Sequence, residues 1–456
     1  MNIPFTFGLL KNLARLRQHE HWTRPKLEAY QAQQLQHLRT YAYAHSPFYQ
    51  TFHKGLVNQP LHELPVLTKA ELMKHFDELV TDRALHLEEI RAYAARGQTN
   101  RRYLDRYWVT ATSGSSGQPG FFLFNEVEWA HVLASFARGP AWSGTTIHLS
   151  HRTKVASVAS SAPWHMSTRA SATVKSWWVP TLHLAASEPL ARMVQQLNDW
   201  QPEILGGYAA MVGLLAEEQL AGRLQIHPQR IYTSSELLTP QTRRRVREAW
   251  GDEPFNQYGA TETAGIAAEH YACRKMHLFE DLVIVEVVDD HYRPVPSGEY
   301  GDKLLVTTLF SRTQPLIRDE LNDRVRVSAQ ADICGLPFAI LDIQGRVEDV
   351  LVLPAISGGR VIVQPLVIKR VVDILPVSDW QVAQQADDGL SVLLAGASSR
   401  LTDETVQAQL VRSLAEVGVR VPYVQVQRVV AISRESSGKA PLIRAFHSKS
   451  KEASAH

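Results

Sequence analysis

"PEILGGYAAMVGLLAEEQLAGR" (residues 202–223) and "RIYTSSELLTPQTRRRVREAW" (residues 230–250) each open on a short apolar run and continue as a helix-length segment. Two strand–helix units in direct succession predict neighbouring parallel strands, because a parallel pair needs a crossover and a helix is the usual one. The alternation extends upstream. "TKVASVAS" (153–160) reads as a further strand and "PLARMVQQLNDW" (189–200) as a helix. Downstream, "LVIVEVVD" (282–289) and "GDKLLVTTLF" (301–310) flank the turn-rich "DHYRPVPSGEYG", so an antiparallel element is expected there. The chain before about residue 90 reads as helices, including the amphipathic "PKLEAYQAQQLQHLRTYAYAH" (25–45) and "LTKAELMKHF" (67–76), where Thr68 is an N-cap candidate with Glu71 three residues on. After "GRVEDVLVL" (345–353) the pattern becomes a compact α+β one, with a helix expected over 402–417. The reading is an α/β protein: a large N-terminal unit of layered sheets and helices over 1–347, a small α+β unit over 348–446, and a tail over 447–456 expected to be disordered.

Composition narrows the function. The 456 residues carry 48 basic and 46 acidic side chains, a formal charge of +2, so no whole-chain field favours nucleic acid or an anionic membrane. No apolar run approaches the ~18 residues of a membrane span, and the first residues lack a cleavable signal pattern. A cytoplasmic protein acting on a small molecule, as monomer or homodimer, is expected. Two cysteines, Cys273 and Cys334, cannot build a disulfide framework and are expected to be free, buried or metal-bound.

"TSGSSGQPGFF" (112–122) lies between two strand-like runs, "YWVTA" (107–111) and "FFLF" (121–124), and reads as a hairpin tip. Pro119-Gly120 satisfies the turn. The dense glycines and hydroxyls before it offer backbone N–H and O–H groups that suit phosphate oxygens. In order along the chain, "TSGSSGQP", "YTSSELLT" (232–239), "NQYGATETAG" (256–265), "PLIRDELNDRV" (315–325), "GRVEDV" (345–350) and "SSGKAPLIR" (436–444) resemble the adenylate-forming acyl-CoA ligase superfamily, most closely its phenylacetate-CoA ligase branch.

The resemblance implies a large adenylate-forming domain and a small mobile C-terminal domain. It also implies ATP-dependent activation of a carboxylic acid, of aryl or arylacetic type, to acyl-AMP, followed by transfer to coenzyme A. By the same resemblance Thr112, Ser113, Gly114, Ser115, Ser116 and Gly117 close over the β- and γ-phosphates, and Gln118 stands where the family usually has lysine. Tyr258 stacks on adenine, Gly259 and Ala260 pass close to the nucleotide or the acyl group, Thr261 contacts the α-phosphate and Glu262 holds Mg²⁺. Ser235 and Glu236 line the adenine side. Asp319 accepts the ribose hydroxyls, with Asp323 as second candidate. Arg346 approaches the nucleotide, Glu348 is the hinge, and Lys439 brings a cation to the reacting carboxylate and α-phosphate. Phe136, Trp164, His165, Gly207 and Tyr208 are the acid-pocket candidates.

Some members of that branch carry a small zinc site, for which Cys273, His277, Asp332 and Cys334 are the candidates here; two ordinary reduced cysteines are the alternative. Two other functions stay open: an adenylating enzyme that passes the acyl group to a carrier-protein thiol or an amine, and a non-catalytic nucleotide-binding protein.

Overall fold

The strands anticipated at 202–250 lie in the middle of a nine-stranded sheet. Its order runs Asp323–Ser328, Ile340–Arg346, Met276–Leu278, Ala264–Glu269, Phe255–Ala260, Arg230–Ser234, Ile204–Tyr208, Val155–Ala159 and Thr181–Ala185. In the computed structural model the described residues are 3–97, 101–112, 119–145, 151–174, 176–328, 334–346, 351–363, 365–372, 375–433 and 442–446. From Phe255–Ala260 to Thr181–Ala185 the strands are parallel, and the rest of the sheet is antiparallel. The direction reverses at the turn after Ala260. There Gly259 has no substitute, because a Cβ on it would lie 2.4 Å from the Ala264 carbonyl oxygen.

The edge strand Thr181–Ala185 was not anticipated; it exposes its first and third side chains and so lacks a strong apolar run. The expected antiparallel element is a separate three-stranded sheet of Val283–Val288, Lys303–Thr308 and Asp319–Leu321. The hairpin of Trp108–Ala111 with Phe121–Phe124 forms as read.

Helices cover the N-terminal region. Arg24–His45 begins with proline in its first turn, where the missing N–H has no partner to lose, and Thr68 caps Lys69–Lys74 by accepting from the Glu71 amide at 3.2 Å. Helix Ile3–His19 packs on helix Glu126–Trp142. A buried ionic cluster locks that contact. Arg138 donates to both carboxylate oxygens of Asp281 at 2.7 Å and to the Leu16 carbonyl at 3.1 Å, while His19 Nδ1 lies 2.8 Å from Asp281. Burial alone would raise the Asp281 pKa; the Arg138 charge and the hydrogen bonds outweigh it and hold the group well below the usual carboxylate range.

From Leu351 onward a second apolar core forms around Leu353, Trp380, Val392 and Leu410. It sits between a sheet ordered Val424–Val429, Leu390–Ala395, Asp379–Gln384, Ile443–Arg444 and the helices Pro365–Val372 and Asp403–Glu416, the latter capped by Thr402. Helix Pro240–Trp250 reaches across to it. Gln241 Nε2 donates to the carbonyls of Leu375 at 3.2 Å and Val377 at 3.3 Å, and Arg245 donates to Ser378 at 2.6 Å and also to Val377. Among the described residues no helix is long and apolar enough to cross a membrane.

Candidate active site

Parallel strands present their carboxyl ends along one edge of a sheet, and that edge is where α/β proteins place ligands. Most of the candidate residues fall there. Trp164 and His165 follow strand Val155–Ala159, Gly207 and Tyr208 end Ile204–Tyr208, Ser235 and Glu236 follow Arg230–Ser234, and Tyr258, Gly259 and Ala260 end Phe255–Ala260 directly before Thr261 and Glu262.

The nucleotide candidates converge from separate segments. Tyr258 donates its hydroxyl to Asp323 Oδ2 at 2.7 Å, and in the antiparallel register Asp323 is paired with Arg346. Arg346 ends its strand; its side chain lies outside the described residues. Asp319 has a different setting. It is 2% exposed, and its Oδ2 has no hydrogen-bond partner among the described residues. Burial, then the charges of Glu262 and Glu320, push its pKa well above the ordinary value against the opposing effect of Lys69.

Ser235 adopts a left-handed backbone (φ 66°), an uncommon conformation for a residue with a side chain. Beside it, Glu236 accepts from the Ala210 amide at 2.9 Å, a carboxylate set against the start of helix Ala209–Leu220. Thr112 binds both backbone groups of Gly120: its amide donates to the Gly120 carbonyl at 2.9 Å, and its Oγ1 accepts from the Gly120 amide at 2.8 Å. That pairing closes the neck of the Ser/Gly loop. Ser113, Gly114, Ser115, Ser116, Gly117, Glu348 and Lys439 lie outside the described residues.

The acid-pocket candidates divide. Gly207 is required by close packing, since a Cβ there would meet the Val158 carbonyl oxygen at 2.5 Å. Tyr208 is 1% exposed, accepts from the Ser160 amide at 3.0 Å, and is pushed up to about 12 by burial, which makes it framework. His165 meets it edge-on, and Trp164 accepts from the Ala111 amide at 3.0 Å, tying the loop-bearing hairpin to this wall. Phe136 and Trp164 are partly buried against the same apolar cluster.

A separate cluster gathers both cysteines. Cys273 Sγ and Cys334 Sγ are 2.7 Å apart, and His277 Nε2 lies 3.4 Å from the first and 3.2 Å from the second. His270, absent from the sequence reading, joins them, with ligand-type atoms of His270, Cys273 and Cys334 within 4.8 Å of one another. The spacing His270-x₂-Cys273-x₃-His277 was the available signal. Asp332 lies outside the described residues. His277 Nδ1 lies 3.0 Å from the Phe338 carbonyl, a contact that orients the imidazole.

The fold is similar to that of acyl-CoA ligases of known structure. The structure superposes on 2-hydroxyisobutyryl-CoA ligase in its postadenylation state with a TM-score of 0.73 at 18% identity, covering 95% of this chain and 92% of that one. For the same enzyme in its thioesterification state the TM-score is 0.60 at 19% identity, over 94% of this chain and 91% of that one. ATP-bound MatB from Rhodopseudomonas palustris gives 0.51 at 17% identity over 73% of this chain and 66% of that one. In sequence, the chain is similar to the phenylacetate-coenzyme A ligase of Thermus thermophilus, 25% identical over an alignment of 358 residues that covers 73% of each protein. No family model matches.

Proposed function

We propose that this chain activates a small carboxylic acid with ATP and passes the acyl group to the thiol of coenzyme A. In the first half a substrate carboxylate oxygen attacks the α-phosphorus, the bond from that phosphorus to the bridging oxygen breaks, and pyrophosphate leaves. In the second half the thiol sulfur attacks the acyl carbon, the mixed anhydride opens, the thiol proton is lost to solvent or base, and AMP leaves. Catalysis of this kind is mainly positioning and charge stabilisation. The observation that carries the reading is the contact of Tyr258 with Asp323, the strand partner of Arg346, beside the Thr261-Glu262 turn at the carboxyl edge of the parallel strands.

Tyr258 offers its ring to adenine, and Thr261 faces the α-phosphate. Asp323 takes the ribose hydroxyls in preference to Asp319, because its carboxylate is oriented by Tyr258 whereas Asp319 is only 2% exposed. Glu262 is the carboxylate that would hold Mg²⁺, which when bound neutralises charge on the phosphate oxygens. Trp164, His165 and Phe136 support an aryl or arylacetic acid as substrate. The unit after residue 347 is the mobile domain, with Glu348 as hinge and Lys439 as the cation it delivers. We place the enzyme in the cytoplasm, acting as monomer or homodimer.

Cys273, Cys334, His270 and His277 fit Zn²⁺, whose preference is for four sulfur and nitrogen donors in a tetrahedron. Bound there, the ion would staple the 270–277 turn to the segment at Cys334.

The test is pyrophosphate release across a panel of aryl, arylacetic and short aliphatic acids, each with and without coenzyme A. Release with one acid class and formation of its CoA thioester is expected. No release with any acid would leave a non-catalytic nucleotide binder, and release without thioester would point to a carrier-protein or amine acceptor. Lys439→Ala is expected to abolish adenylation and to spare thioester formation from supplied acyl-AMP.

A further inference from the structure

The turn that carries Cys273 is held by its own backbone. The His270 amide donates to the Lys275 carbonyl at 3.0 Å and the Arg274 amide to the His270 carbonyl at 2.8 Å, with Arg274 left-handed (φ 53°). Arg274 also anchors the turn outward, donating Nη1 to the Glu253 carbonyl at 3.2 Å and laying its guanidinium 3.9 Å from the centre of the Phe255 ring. His277, which both sulfurs approach, is set by a strand ladder: it pairs with Ile340, and the next amide, of Leu278, donates to the Ala339 carbonyl at 2.9 Å. These contacts involve only the chain, so the placement of the two sulfurs 2.7 Å apart does not depend on an ion.

A disulfide holds its sulfurs about 2.05 Å apart, and side-chain rotation suffices to join a pair this close. Both cysteines are partly exposed. A cleft of about 330 Å³, lined by Arg17, His21, Trp142, His270 and Tyr271 among others, runs beside the turn and gives a small oxidant a way to Cys273. In a reducing compartment such a cross-link is transient and redox-responsive. Zinc takes both sulfurs as thiolates, whereas a disulfide offers neither, so metal occupancy and cross-link exclude each other.

We propose that Cys273 and Cys334 form a peroxide-oxidisable pair that closes reversibly to an intramolecular disulfide. The Cys273 sulfur attacks one oxygen of hydrogen peroxide, the O–O bond breaks, and the departing hydroxide leaves as water with the thiol proton, which makes a sulfenic acid. The Cys334 sulfur then attacks the Cys273 sulfur, the S–O bond breaks, a second water leaves with the Cys334 proton, and the S–S bond forms. In sum, two thiols lose two electrons and two protons, and one peroxide becomes two waters. A dithiol reductant reverses the change. The cross-link is independent of the ligase reading; its exclusion of zinc rests on the zinc reading of the same side chains.

The experiment treats the full chain, Cys273→Ser and Cys334→Ser, each reduced and metal-free, with hydrogen peroxide. Thiol titration, mass spectrometry of non-reduced digests, zinc titration against a colorimetric chelator and thermal unfolding are read for each. The unaltered chain should lose both thiols, yield one peptide pair linked through Cys273 and Cys334 within a single chain, and bind zinc about a hundredfold or more weakly until dithiothreitol restores it. Cys334→Ser should stop at a dimedone-reactive sulfenic acid on Cys273, and Cys273→Ser should react more slowly. Thiols that survive peroxide sufficient to oxidise glutathione, separate over-oxidation of each cysteine, or linkage only between chains overturns the pair. Faster reaction in Cys273→Ser overturns the order of attack. Linkage with zinc affinity unchanged, or no zinc affinity before oxidation, overturns the zinc reading and leaves the pair standing.

Discussion

Replacing Asp323 by alanine tests the proposed nucleotide site most directly. Tyr258 already holds Oδ2 of this carboxylate at 2.7 Å, which orients the group. A hydrogen bond to a charged acceptor contributes about 1.5–3 kcal/mol. If the carboxylate accepts from both ribose hydroxyls, alanine loses at least about 3 kcal/mol, and KM for ATP in the adenylation half-reaction rises about 150-fold. Structural damage alone could raise KM, so the informative measurement is discrimination between ATP and its 2′-deoxy and 3′-deoxy forms. The unaltered enzyme and Asp319→Asn should prefer ATP about tenfold or more over either deoxy form, and Asp323→Ala should treat the three alike. Retained discrimination in Asp323→Ala, with loss of it in Asp319→Asn, would refute the assignment and return the ribose to Asp319.

Arg138→Met should lower unfolding free energy by about 3–5 kcal/mol in urea titration, because it strands a buried Asp281 charge. Adding Asp281→Asn should recover part of that loss. The imidazole of His131, between Arg15 Nη2 at 2.6 Å and the Val127 carbonyl at 2.9 Å, is pushed down to about 4, by burial first and then by the Arg15 charge. The folded state therefore keeps it neutral where the unfolded chain, with a pKa of about 6.5, binds a proton, so stability falls as pH drops from about 6.5 toward 4. Chemical denaturation of His131→Gln over that window should have a slope shallower by up to about 1.4 kcal/mol per pH unit. Protein purified without chelator should contain about one zinc per chain, and removing it should lower Tm by several degrees. Cys334→Ala should reproduce that drop without zinc release.

Much of this was readable from the chain because the signals were local. The 202–250 alternation needed only strand and helix periods, and the Tyr258–Glu262 segment sits where one of those strands ends. Assignments that depended on pairing between distant segments were not readable. Asp319 and Asp323 are near neighbours in one sequence stretch, and only the contact with Tyr258, contributed by a different strand, separates them. His270 escaped because the spacing His270-x₂-Cys273-x₃-His277 is a weak signal until Cys334 is folded against it. The pairing of Leu67 with Asp319 joins positions far apart in sequence, and nothing in "LPVLTK" announces it.

The seam between helix Pro240–Trp250 and the C-terminal part has a one-sided chemistry. Every donor named there is a side chain, of Gln241 or Arg245, and every acceptor is a main-chain carbonyl of Leu375, Val377 or Ser378. A carbonyl belongs to whatever residue occupies its position, so the identities at 375–378 are free to drift so long as the turn keeps its shape. The burden of preserving this arrangement falls on two side chains of the larger partner. Random substitution should therefore disturb this seam far more often at Gln241 and Arg245 than at the residues they grip.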